Sequence, residues 1–543
     1  MIRSASWRVS RRMPGIRSAR AGLWIALALT SLVAEANEAL LPTPALQRAE
    51  RLTPEQLAKT IDSALRADWK LQEIEPAPVT SDGEFVRRAH LDLIGRIPSV
   101  GETRDFLDDQ GIEKRTRLVE TLLQRGAYAN HFANTWRDLL LGNSSAESRA
   151  IAPSLEMWLR LRFGSNMPYD QIVRELLTSP AMADTATLAT EPSTLPFYQA
   201  SEYKPELLAA TVSRVLLGVQ LQCAQCHDHP FTHWKQTEFW SFAAFFTDVQ
   251  PGASMARGDE TPPRQQGIQI PEKDIFVETK FLDGRKLEGQ ADKRQALAKW
   301  IVDRDNPYFA RAVVNRLWNH FFGRGFVHPV DDLDPTNAPS HPQLFATITD
   351  QFVLHDYDLK YLIRAIAATE AYQLSSQTIH PEKNAAALTH FARMPLRRMT
   401  GDQLYASFVQ ATGFREPRSR DQGPFQSSAL VDFQAKFSDT SVTRTEVETS
   451  ILQALSQMNG RYTAQVTDIA SSETLTAVVG APYLSTQGRI ETLFVAALSR
   501  KPDPQELAEL LPRLEKQDET ERASAYSDLF WALLNSAEFV LNH

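Results

Sequence analysis

Both cysteines of this 543-residue chain fall in one nonapeptide, Cys223-Ala-Gln-Cys226-His227-Asp-His229-Pro-Phe231. With two cysteines placed at random, a spacing of three followed by histidine is expected roughly once in ten thousand chains. The run C-x-x-C-H is the attachment signature of a covalently bound c-type haem. Two thiols three residues apart sit on one side of a single turn and can add to the two vinyl groups of one porphyrin. The next residue then offers its imidazole to the iron. On this reading haem c is the expected cofactor, Cys223 and Cys226 are its thioether anchors, and His227 is the proximal metal ligand. Other chemistries use the same residues. C-x-x-C is also a redox dithiol or disulfide pair. Cys223, Cys226, His229 and His233 form C-x2-C-x2-H-x3-H, four ligands of the type zinc takes. An inert clasp with no cofactor completes the set. The zinc spacing leaves two residues between its halves, where fingers place a hairpin or helix. The disulfide leaves the histidines unused.

The chain opens unlike the rest of itself. Six arginines (Arg3, Arg8, Arg11, Arg12, Arg17, Arg20) precede the apolar run Leu23–Ala34, and Ala34-Glu35-Ala36 is an A-x-A cleavage site. Residues 1–36 therefore read as a secretory signal peptide, because the apolar run is too short to span a bilayer comfortably. Ser10-Arg11-Arg12 is a partial twin-arginine pattern, which leaves the export route open. The expected product is periplasmic or otherwise exported, with no integral membrane span after processing. Losing the six Arg and Glu35 takes the formal net charge from −8 to −13. Such an acidic surface argues against nucleic acid and anionic lipid as partners. Export also favours haem, since c-type haem is attached on the far side of the bacterial inner membrane. An exported chain with two cysteines is not a disulfide scaffold.

At 43% hydrophobic and 23% charged residues, the composition is that of a globular protein long enough for two or more cores. Residues 37–51 read as a Pro-containing linker and 52–249 as a helical domain carrying the cysteine motif. Thr53-Pro54-Glu55-Gln56 is a helix start, and Leu57, Ile61, Leu65 and Trp69 recur every four residues behind it. Leu208, Val212, Val215 and Val219 form one stripe of a helix that delivers Cys223. The aromatic run Phe239, Trp240, Phe242, Phe245 and Phe246 reads first as core and second as a dry haem wall. Residues 250–291 read as a loop plus a β-hairpin, Ile275–Leu287, turning at Asp283-Gly284. Helical patterning returns over 292–543. The predicted fold class is mainly α: two helical domains with a small β-hairpin insertion between them.

The second half carries Asn306–Gly325 (NPYFARAVVNRLWNHFFGRG), then Val330-Asp331-Asp332 and Pro335–Pro342. With Leu91–Ser99, Phe239–Phe246, Pro395–Leu404, Leu493–Leu507 and Asp528–His543, these blocks make the chain recognisable. It resembles exported proteins that join the planctomycete-type cytochrome C domain to the companion PSD domain, both of unknown function. The resemblance runs from about Leu52 to the C-terminus and implies a class and a compartment without a reaction. Trp136-Arg137-Asp138 departs from the His-Trp-Leu-Asp form associated with the family, which puts in doubt any polar site on that helix.

Asp331, Asp332, Asp334, Asn337 and His341, with Asn315, Arg316, Trp318 and His320, gather many oxygen and nitrogen groups. They suit a calcium or iron site or a sugar cleft. They also suit a loop of helix caps, with Ser340-His341-Pro342 as an N-cap followed by proline. Arg397-Arg398 reads as a salt-bridge pair. For a haem on His227, a sixth ligand from His320, His328, His341 or Met255 would make an electron-transfer site, and an open position would permit catalysis. The expected function is that of a single-haem c-type cytochrome-like redox protein acting on a redox partner protein or a small-molecule substrate. The alternative is an exported binding or assembly protein, for instance a polysaccharide-related one, whose Cys-Cys-His motif is a disulfide or metal clasp.

Overall fold

The helix Pro54–Leu71 begins where the sequence places it: Thr53 and Gln56 close a capping box, and Pro54 occupies a position whose N–H has no partner to lose. Its four-residue apolar stripe, Leu57, Ile61, Leu65 and Trp69, is buried. The computed structural model describes residues 50–142, 146–180, 191–249, 266–289, 291–378, 381–414, 466–515 and 519–543. The predicted signal peptide, almost all of the predicted linker, most of the predicted 250–266 loop and Met255 lie outside them. Described elements are mainly helices, with two small antiparallel sheets, and none of these helices is long and apolar enough to cross a membrane.

One apolar cluster runs from Leu57 to Met394 and takes in the helices Pro205–Leu217, Phe309–Phe322 and Leu359–Ala367. A second gathers Leu91 and Ile97 with residues from Met399 to Phe539. The helix Asp82–Ile94 feeds both, with Phe85, Val86, Ala89 and Leu93 in the first and Leu91 in the second. It is buried along nearly its whole length and carries two fully buried arginines. Arg87 donates to the carbonyls of Ala497 (2.9 Å) and Phe539, and Arg88 to those of Tyr372 and Leu374 (2.6 and 2.9 Å). Buried guanidinium groups need such acceptors, because an unsatisfied charge in the interior is costly.

The same helix holds Asp92. Its Oδ2 accepts from Tyr372 Oη and Arg397 Nη2, each at 2.9 Å, and its Oδ1 from Asn542 Nδ2 at 2.7 Å. Arg397–Arg398 pairs antiparallel with Leu541–Asn542, so the charged network and the small sheet fasten the chain end together. Arg397 is thus the ion-pair residue its sequence suggests.

The β insertion differs from expectation in its pairing. Asp283-Gly284 does turn the chain, with Gly284 at φ 82° and Lys280 bridged to Lys286. Yet the two-stranded ladder joins Phe276–Glu278 to Gly267–Gln269, a segment the alternation pattern does not mark. Gly267 explains the choice: a Cβ there would lie 2.1 Å from Val277 O, so only glycine lets the strands close.

Candidate functional site

The helix Pro205–Leu217 stops at Gly218, which is left-handed at φ 66° and leaves no room for a Cβ beside Leu333. Gly218 O accepts from Leu333 N at 2.8 Å, tying the entrance of the cysteine loop to the second-half motif. A 3-10 turn over Gln222–Gln225 follows, pinned by buried Ala224 between two exposed free thiols, Cys223 and Cys226. The helix Gln236–Ala243 clamps the loop from behind. Gln236 Nε2 donates to Gln225 O and Cys226 O at 3.0 and 2.9 Å, and Trp240 Nε1 donates to Gln225 O at 3.0 Å. Gln236 N also donates to Asp228 Oδ1 at 2.9 Å. The carbonyls of Gln225 and Cys226 are thus satisfied from the clamp helix, and both cysteines are exposed.

Hydrogen bonds distinguish the three histidines. His227 Nδ1 lies 2.7 Å from Asp228 O; a carbonyl only accepts, so the ring proton sits on Nδ1 and the Nε2 lone pair is left free on an exposed ring. His229 is the reverse. Its Nδ1 receives the amides of Phe231 and Thr232 at 3.3 and 3.1 Å, so the proton of the neutral ring sits on Nε2. His233 packs at a tilt against Trp234, ring centroids 4.3 Å apart, and its Nδ1 lies 3.6 Å from Asp334 Oδ2. Among the described residues, the zinc-type set Cys223, Cys226, His229 and His233 does not bring three ligand atoms within 4.8 Å of one another.

The donors for haem fit better than the wall. Both thiols and the His227 lone pair are exposed on one short loop, which suits covalent attachment at the surface. Phe239, Trp240, Phe242, Phe245 and Phe246 are all buried core residues, and Phe245 packs on Phe281 at 4.7 Å. The core reading of that run therefore holds. Phe231, 86% exposed at the tip of the loop, is an aromatic that a bound porphyrin could cover. A cleft of about 530 Å³ opens beside the clamp helix, lined in part by Trp234, Thr237, Phe276 and Phe281.

The second-half polar cluster divides among several tasks. Asp331 is buried in ion pairs with Arg316 and Arg214, the latter at 3.6 Å. Asn315 is spent on the backbone of Val327 and Val330, and Trp318 stacks on Phe322 and packs at a tilt against Phe326 in the core. Asn337 Nδ2 donates to Asp332 O and Oδ2, each at 3.1 Å, and Asp334 Oδ1 caps Thr336. Burial, then neighbouring Asp334, pushes the Asp332 carboxyl above its ordinary range. His320 is buried and donates Nε2–H to Asp92 O at 2.9 Å. Local turn bonds thus describe Asp332 to Asn337, while Asp331 is spent on its arginines.

His341 leaves that group altogether. Its Nε2 lies 3.1 Å from Asp68 Oδ2, and His390 Nδ1 lies 2.6 Å from the same oxygen. Burial holds the His341 imidazolium below its usual range. Asp68 and His390 escape sequence reading because they stand 273 and 322 residues from their partners, with no local spacing to betray them. What the sequence also conceals is that the Asp334 loop abuts the cysteine loop at His233.

Residues 60–251 match the model of the family PSCyt2, described as a protein of unknown function (DUF1549). Residues 293–430 match PSD1, a protein of unknown function (DUF1553). No curated protein and no solved structure matches the chain. The cysteine loop lies in the first matched segment, and Asp331 to His341 in the second.

Proposed function

Because this chain joins a PSCyt2 domain to a PSD1 domain, we propose that its task is set by the cysteine loop of the first: it is an exported c-type cytochrome-like protein bearing one haem. Cys223 and Cys226 are the thioether anchors, His227 is the proximal ligand, and electrons pass to or from a redox partner protein or small-molecule substrate. The observation that carries this reading is the His227 ring, whose Nδ1–H is held by Asp228 O while Nε2 points its lone pair away. A carbonyl that accepts from the other ring nitrogen orients metal-bound histidines in this way and fixes their tautomer. The haem would supply one-electron redox chemistry at the iron. The chain's own contribution is a clamp, Gln236 and Trp240, that keeps the two thiols and the imidazole on one rigid turn.

His227→Ala is expected to weaken haem loading and shift the Soret band, while His233→Ala changes little. Absorption and metal content of the variants at His227, His229 and His233 check this. Metal lost in His229→Ala and His233→Ala but kept in His227→Ala would overturn the assignment in favour of zinc. A second reading, a binding or assembly protein with the loop as a clasp, draws on the burial of the aromatic run that would otherwise wall the porphyrin. A spectrum that stays colourless in a host with active haem-attachment machinery favours it.

Export rests on Ala34-Glu35-Ala36. N-terminal sequencing of the native protein is expected to begin at Asn37, and Met1 retained in a membrane fraction would contradict processing.

A further inference from the structure

We propose that Asp68, His341 and His390 bind a divalent first-row transition ion of the zinc class, at a site that shares no residue with the cysteine loop. The three side chains come from separate elements. Asp68 sits in the last turn of Pro54–Leu71, His341 immediately precedes Pro342–Leu354 with its side chain making no capping bond, and His390 follows Asn384–Thr389. Their ligand atoms all lie within 4.8 Å of one another, with the two nitrogens 3.1 and 2.6 Å from one carboxylate oxygen. Ion–ligand bonds of about 2.0–2.2 Å in tetrahedral geometry put ligand atoms roughly 3.4 Å apart; both nitrogens sit closer than that to the carboxylate oxygen, at hydrogen-bond distance, and an entering ion would push each of them outward by less than about 1 Å. Two imidazoles and one carboxylate are a donor set that zinc and its neighbours take readily.

The supporting shell is already built. His341 Nδ1 meets Ser340 Oγ at 2.9 Å, a hydroxyl able to accept the Nδ1 proton when Nε2 turns its lone pair to an ion. Trp69 Nε1 donates to His390 O at 2.8 Å, fixing the backbone that carries one ligand to the residue beside another. Phe391, next to His390, is buried with φ 54°, a conformation uncommon in a bulky residue, and its ring packs against His341 at 5.5 Å. Phe326 covers another face of His341 at 6.2 Å. Among the described residues, the ion pairs of Asp68 are with these two imidazoles, and no lysine or arginine pairs with its charge. The side chains of Asp68 and His390 keep 18% and 21% of their surface exposed, so an ion can reach the site and retain an open position. Three protein ligands and one open position are the arrangement of catalytic rather than structural zinc.

The competing account is a hydrogen-bonded clasp, with both imidazoles donating to Asp68. Titrating the chelator-treated full chain with Zn(II), then with Co(II), separates the two. The titration is repeated on the Cys223→Ser/Cys226→Ser double variant to remove thiolate binding. One equivalent is expected in both proteins, with Co(II) visible bands that lack a thiolate charge-transfer component in the double variant. In that background Asp68→Asn and His390→Gln should each weaken binding by more than about 100-fold with helical circular dichroism unchanged. His390 is partly exposed, so its variant keeps the test informative if Asp68→Asn does not fold. Absence of Zn(II) binding at micromolar concentration in the double variant, or unchanged affinity in His390→Gln, would leave the clasp and overturn the proposal. Neither result bears on haem attachment.

Discussion

Asp92→Ala is expected to cost about 3–5 kcal/mol of folding stability, the largest effect of any single substitution considered. Asp92 is 1% exposed and Arg397 4%. Deleting the carboxylate strands a buried guanidinium whose remaining bond to His320 O cannot neutralise it. It also strips Tyr372 Oη and Asn542 Nδ2 of their acceptor. Each loss adds a desolvation cost of about 1–3 kcal/mol that the wild type does not carry. Since whole proteins retain roughly 5–15 kcal/mol, the loss would bring the chain near its unfolding threshold. Asp92→Asn keeps an acceptor for Tyr372 and is expected to fall between the two. Denaturant midpoints check the order, and an Asp92→Ala midpoint matching wild type would show that the network is dispensable.

How much of this was legible depended on the range of the interaction. The helix Pro54–Leu71 could be read because its cap, its proline and its apolar stripe lie within eighteen residues of one another. The aromatic octad Phe239–Phe246 is apolar on nearly every face, the mark of a helix buried all round, and that is why it became core rather than a cofactor wall. Asp92, by contrast, sits in a short motif whose partners stand at 372, 397 and 542. No period or spacing connects them. His341 shows the same limit from the other side. Sequence proximity groups it with the aspartates beside it, but its ring meets Asp68 and lies near His390. The cysteine loop was fully legible as a motif. Its clamp by Gln236 and Trp240, and the opposite tautomers of His227 and His229, required the fold.

Cys223→Ser/Cys226→Ser is expected to abolish covalent pigment while leaving the fold intact. Both thiols are exposed, and the turn between them is held by Ala224 and by backbone bonds that serine does not disturb. The single variants should retain one thioether each and so keep part of the denaturation-resistant absorbance. If the double variant keeps wild-type colour after denaturation, the chromophore is attached elsewhere.

The most direct measurement is the intact mass of the native protein, made where haem-attachment machinery is active, beside that of the double cysteine variant. A wild-type chain heavier than its mature sequence by one haem, and a variant with no added mass, are the expected masses. A wild-type mass equal to that of the bare chain would contradict haem attachment.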